Sequence, residues 1–208
     1  MSVDLMATLE EPVTLDAVLR SGHQVLSDLL GVMAPELVVV AEREYQQGRR
    51  IDEGRRLVEA ELRETTIGHR IPAAENSFAG SIHFEIDVPA TGDRVLLMAI
   101  DHQGAGLNDG RHAVFTPSRT CVGVAVAVAL GLATARLGHG QYIDGQIKMV
   151  SPAENEPDDI IRRTRLSGRG EDFAVQCEKY VRQFQHLNGW PRVLSDALRD
   201  DRAVVWRR

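Results

Sequence analysis

Three residues of this 208-residue chain could together form a nucleophilic cysteine site: His83, Asp101 and Cys121, in that order. A thiol attacks an acyl carbon once an imidazole takes its proton, and a carboxylate holds the imidazole in the useful tautomer. His83 lies in GSIHFEID, Asp101 closes RVLLMAID, and Cys121 opens the apolar stretch CVGVAVAVALGLATA. Each also fits a plainer role, as a strand histidine, a turn aspartate or a small buried thiol. The elements around them decide whether they can meet.

Ile82, Phe84, Ile86 and Val88 alternate with His83, Glu85 and Asp87, which marks a half-buried strand. PATGD reads as a turn, and Val95 to Ile100 as the returning strand. A hairpin centred on Gly92 sets His83 opposite Asp101, with Cβ atoms roughly 5 Å apart. The stretch from Val122 contains alternating valines, but its length and alanine content predict a buried helix. Ser118 or Thr120 can cap that helix, placing Cys121 at its positive end. Such a position lowers a thiol from its usual value of about 8.5 by a unit or more, and first-turn amides can hold an oxyanion.

Elsewhere, Leu15, Val18, Leu19, Val25, Leu26, Leu29 and Leu30 predict a helix capped by Thr14 and stopped by Gly31. A second helix is expected from Pro35, although Leu37–Val40 alone could be a strand; a third is expected around Leu57 and Leu62. The charged run from Arg43 to Arg63 reads as a solvated helical face. DHQGAGLNDGRH reads as a mobile loop, AVF as a short strand and QYIDGQIKMV as a strand. Helices follow near Ile160 and along Phe173, Cys177, Tyr180 and Phe184. The order predicts a mixed α/β (α+β) fold, with a central, mostly antiparallel sheet flanked by helices. Residues 1–13 are expected to be a flexible N-terminus. Residues 14–208 form one domain with helical flanks at 14–70 and 156–208.

Net charge is −6 and the pI is near 5.6, which argues against nucleic-acid binding. The acidic N-terminus lacks a signal-peptide pattern, and no apolar stretch has the length and flanks of a membrane helix. Cys121 and Cys177 are expected to be reduced, and Cys177 to belong to the core. His69, His112 and His139 lack metal-ligand spacing, so no metal is expected.

GSIHFEIDVPATGDRVLLMAIDHQGAG resembles the central block of the YopJ-like effector acetyltransferases, and PSRTCVGVAVAVALGLATARLG resembles their later block. The resemblance spans residues 79–138. It implies a fold of the ubiquitin-like-protease clan and a catalytic domain with His83 as base, Asp101 as its partner and Cys121 as nucleophile. It implies that Cys121 takes acetyl from acetyl-CoA as a thioester and passes it to Ser, Thr or Lys of a host protein. It also implies synthesis in a bacterial cytoplasm and delivery to a host cell without a cleaved signal, as a virulence effector. Inositol hexakisphosphate would be the activator, with Arg162, Arg163, Arg165, Arg169, Lys179 and Arg182 as candidate contacts. The glutamine that helps form the family's oxyanion hole is absent from VFTPSRTC, leaving Gln103 as a substitute from another loop. The same residues leave two other readings open: a deubiquitinase-like cysteine hydrolase, and a catalytically degenerate binding protein.

Overall fold

The structure is a computed structural model that describes residues 3–46, 49–69, 81–101, 110–145, 147–149, 156–170, 172–184, 187 and 189–194. The chain runs β1 (Leu5–Leu9), β2 (Val13–Thr14), α1 (Leu15–Leu30), β3 (Val38–Ala41), β4 (Tyr45–Gln46), β5 (Arg49–Arg50) and β6 (Arg55–Arg56). It continues through α2 (Glu59–Glu64), β7 (Thr66–Ile67), β8 (Ser81–Val88), β9 (Asp93–Asp101), β10 (Arg111–Pro117) and α3 (Cys121–Leu137). The remaining elements are β11 (Tyr142–Ile143), α4 (Pro157–Thr164) and α5 (Phe173–Val181). Seven strands form one antiparallel sheet in the order β11-β1-β10-β9-β8-β3-β6. The α+β fold with a mostly antiparallel central sheet expected from the sequence is therefore present.

Helix α3 is the centre of the core. Its residues from Cys121 to Ala135 are all buried. A helix that is apolar all round must be covered all round. One side of α3 lies on β1, β9 and β10, and α1, α4 and α5 pack around the rest. Alternate strand residues face it: Leu5, Ala7 and Leu9; Val95, Leu97 and Ala99; Ala113 and Phe115. Burial overrides the strand preference of its valines, because a 17-residue run without a breaker satisfies its own backbone inside the core. Helix α1 approaches closely at Gly22, where an added Cβ would lie 2.7 Å from Leu130.

Helix α1 has the expected caps. Thr14 Oγ1 accepts from the Ala17 amide, and Gly31 ends the helix in the left-handed region, at φ 65°. Other expectations are corrected. Residues 1–13, expected to be a flexible N-terminus, contain β1, which lies inside the sheet between β10 and β11 with Leu5 and Ala7 fully buried. The helix expected from Pro35 gives way to its alternative, a short strand: β3 forms because Val38–Ala41 pair with β8 and β6. The third helix shrinks to the six residues of α2. Among the described residues of QYIDGQIKMV, Tyr142–Ile143 alone pair as a strand; Asp144 then accepts from the amides of Ile147, Lys148 and Met149. Of DHQGAGLNDGRH, expected as a mobile loop, Asp101 instead ends β9 and Arg111 and His112 open β10, while residues 102–109 lie outside the described residues.

The β8–β9 register also differs from expectation. The connection is the four residues Pro89–Gly92, so Val88 faces Asp93 and His83 faces Met98, not Asp101. The amides of Thr91 and Gly92 both donate to the Val88 carbonyl, at 3.1 and 2.9 Å. Gly92, at φ 74°, is the last residue of the turn and not its centre. The resulting shift in pairing is odd, so it moves His83 and Asp101 to opposite faces of the sheet.

Candidate functional site

The N-terminus of α3 is built as expected, yet it is closed. Thr120 is the N-cap: its Oγ1 accepts from the Gly123 amide at 2.9 Å, and its carbonyl accepts from Val124. The two remaining first-turn amides are taken by the chain's own C-terminal segment. Cys121 N–H donates to Pro191 O at 2.8 Å, and Val122 N–H to Arg192 O at 3.1 Å. The Cys121 thiol points at Trp190 O, 3.7 Å away. The Pro191 and Arg192 carbonyls thus occupy amides that could otherwise hold an oxyanion, and the Trp190 carbonyl lies against the thiol itself. Arg182 secures this strap by donating to Leu187 O and Trp190 O, and Glu178 pairs with both Arg182 and Arg192.

Electrostatics follow the closure. Burial pushes the Cys121 thiol up from its usual range, with Arg182 opposing the shift only in part. The lowering expected from the helix end is therefore outweighed. Cys177 is buried, as expected of a core residue, and burial raises its thiol well above the usual range. Beneath the cap, the buried carboxylate of Asp93 accepts from the hydroxyls of Ser118 and Thr120. Thr120→Ala removes the cap and one of these donors; we expect a loss of about 2 kcal/mol in a denaturant titration.

The expected triad does not assemble. Cys121 adjoins the hairpin end of β8 and β9, where Ser118 and Thr120 bond to Asp93. His83 stands five residues up β8 from Val88, the partner of Asp93, which is about 16 Å along the strand. It is exposed on the outer face and bonds to Ser81 Oγ at 2.8 Å. Asp101 lies eight residues up β9 from Asp93, about 26 Å, and is buried on the inner face. Base, orienter and nucleophile are thus held apart by strand length and by the sheet itself. Gln103, the substitute oxyanion donor, lies outside the described residues.

The expected phosphate contacts also divide. Arg182 is turned inward to the strap, and Arg162 pairs with Asp159 at 2.7 Å. Arg163, Arg165, Arg169 and Lys179 are exposed. Among the described residues, no three His, Cys, Asp or Glu side chains converge to hold a metal, and no helix is long and apolar enough to cross a membrane.

The outer face of the sheet carries a cluster that joins Arg43 and Tyr45, from the run expected to be a solvated helical face, to Glu85 and Asp87 of β8 and Arg94 of β9. Arg43 is 5% exposed at its side chain and forks onto Asp87, with a further bond to Glu85. Tyr45 donates to the other Glu85 oxygen at 2.6 Å and accepts from Arg94 at 2.6 Å. The Arg94 guanidinium sits 5.2 Å from the Tyr45 ring centre. The Asp87 hydrogen bond holds the Arg43 proton more tightly than usual, and burial pushes the Tyr45 hydroxyl up. Two clefts flank Tyr45, of about 440 and 420 Å³, and both include Tyr45, Glu85 and Leu96. The available signal was that Glu85 and Asp87 occupy the polar positions of β8, each needing a partner once half-buried.

No protein-family model, curated protein or solved structure matches this chain.

Proposed function

We propose that this chain is a binding protein that engages a partner protein through the outer face of its sheet, with Cys121 serving as a core thiol. The β8–β9 register carries this reading, because it puts His83 opposite Met98 and away from both Asp101 and Cys121. Acetyl transfer and peptide hydrolysis through Cys121 both need an imidazole within hydrogen-bond reach of the thiol, roughly 3 Å. The strap carbonyls also fill the space an acyl oxygen would need.

The outer face has what a docking surface needs. Tyr45 and Leu96 are among the exposed large hydrophobic residues. Glu85 is held by Arg43 and in turn accepts from the Tyr45 hydroxyl, which anchors the aromatic ring on the face. Calorimetric titration with acetyl-CoA, and separately with inositol hexakisphosphate, is expected to give only heats of dilution. Saturable binding of either would favour the acyl-transfer reading instead.

A further inference from the structure

The outer-face groove has a chemical polarity that indicates what it binds. In the larger cleft the floor carboxylate, Glu85, is already committed through one oxygen to Arg43 and through the other to Tyr45. Among the described residues, the Arg94 guanidinium bonds the Tyr45 hydroxyl, sits 5.2 Å from the Tyr45 ring centre and approaches Glu85 at 3.8 Å. Arg119, on the same cleft, is exposed and pairs with nothing among the described residues. Two guanidinium groups therefore face a cleft whose own carboxylate is satisfied, on a protein of net charge −6. A planar guanidinium recognises a carboxylate through paired N–H donors.

The same cleft offers apolar surface from Leu96, Pro117 and Leu194 beside the Tyr45 ring. It is not a closed pocket for a single small anion. Its lining at Tyr45, Glu85 and Leu96 is shared with the second cleft, which runs on to His83 and Glu42. The combined groove has a cationic end at Arg94 and Arg119 and an acidic residue, Glu42, at the other.

We propose that this groove binds an extended peptide segment of the partner, with an Asp or Glu side chain between Arg94 and Arg119 and an adjacent apolar side chain over Leu96 and Tyr45. The proposal rests on the binding-protein reading and specifies its ligand. Charge complementarity selects the acidic residue, and the continuity of the two clefts selects an extended chain over a free anion.

The test is a selection of random displayed peptides on the full chain, followed by affinity measurements on the enriched sequences. We expect enriched peptides to share an Asp or Glu next to an apolar residue. Arg119→Glu, whose side chain supports nothing in the fold, should weaken them by about ten-fold or more, because an attraction becomes a repulsion. Arg94→Glu should act in the same direction, and replacing the peptide's acidic residue with its amide should reproduce the loss. No enrichment, enrichment without an acidic residue, or indifference to Arg119→Glu overturns the proposal. Inorganic phosphate displacing the peptides at matched ionic strength would also overturn it, since the groove would then be a simple anion site. Failure here leaves the binding-protein reading intact; that reading falls if Cys121 accepts an acyl group, and saturable binding of acetyl-CoA or inositol hexakisphosphate counts against it.

Discussion

Replacing Arg43 with methionine is expected to destabilise the protein by about 3 kcal/mol or more, the largest effect of any outer-face substitution. The side chain is 5% exposed, and its partners Glu85 and Asp87 are 11% and 27% exposed. Methionine fills much of the same space but leaves two carboxylates crowded on neighbouring positions of one strand face without their counter-ion. The loss comes mainly from those stranded charges, because a well-formed buried pair contributes little net stability compared with an apolar replacement. The triple variant Arg43→Met/Glu85→Gln/Asp87→Asn is therefore expected to recover a large part of the loss. Urea titrations of both variants check this; a single variant within about 0.5 kcal/mol of wild type would show that the cluster is solvated.

The second large effect concerns the strap. Arg182→Ala removes two hydrogen bonds to strap carbonyls and one partner of Glu178. Charge-assisted bonds of this kind contribute about 1.5–3 kcal/mol each, so local opening at the α3 N-terminus should become at least ten-fold more frequent. The readout is alkylation of Cys121 by a maleimide, with Cys177 as an internal control. Cys121 in the wild-type protein is expected to react slowly, and in Arg182→Ala at least ten-fold faster, with Cys177 unchanged. Equal rates at Cys121 would mean that the strap does not shield it.

Acid should loosen the same contact. The hydrogen bond from Arg192 holds the Glu178 carboxyl below its ordinary range. A group with a depressed folded pKa stabilises the fold above its unfolded value and loses that contribution as the pH falls through the folded value. Glu178 therefore supports the strap at neutral pH and stops doing so below the usual carboxylate range. The thermal midpoint of Glu178→Gln should lie below that of wild type at neutral pH and converge on it in acid.

Local signals were legible in the sequence, and non-local ones were not. Thr14, Gly31 and Thr120 act on backbone groups within four residues, so their capping roles could be read from neighbouring residues. The helical state of α3 followed from its length and its alanines. The β8–β9 hairpin was also visible, but its register was not, because a left-handed glycine can close a turn as well as centre it. Gly92 closes this one, and that single placement separates His83 from Asp101. Strand β1 was missed although Leu5, Ala7 and Leu9 alternate, since five residues beside an acidic stretch carry a weak pattern. Arg43 could not be paired with Glu85 and Asp87 from sequence, because more than 40 residues separate them. The strap over Cys121 was hidden for the same reason: Trp190 and Pro191 lie at the far end of the chain.

The resemblance to YopJ-like acetyltransferases and the structure make opposite demands on Cys121, as an acyl carrier or as a core thiol beneath a strap. Mass analysis of the intact protein after incubation with isotopically labelled acetyl-CoA, with and without inositol hexakisphosphate, separates the two. We predict no acetyl group on Cys121 in either condition, and a spectrum that Cys121→Ala matches apart from the substitution itself. An acetyl group that maps to Cys121 and is lost in Cys121→Ala would contradict the account.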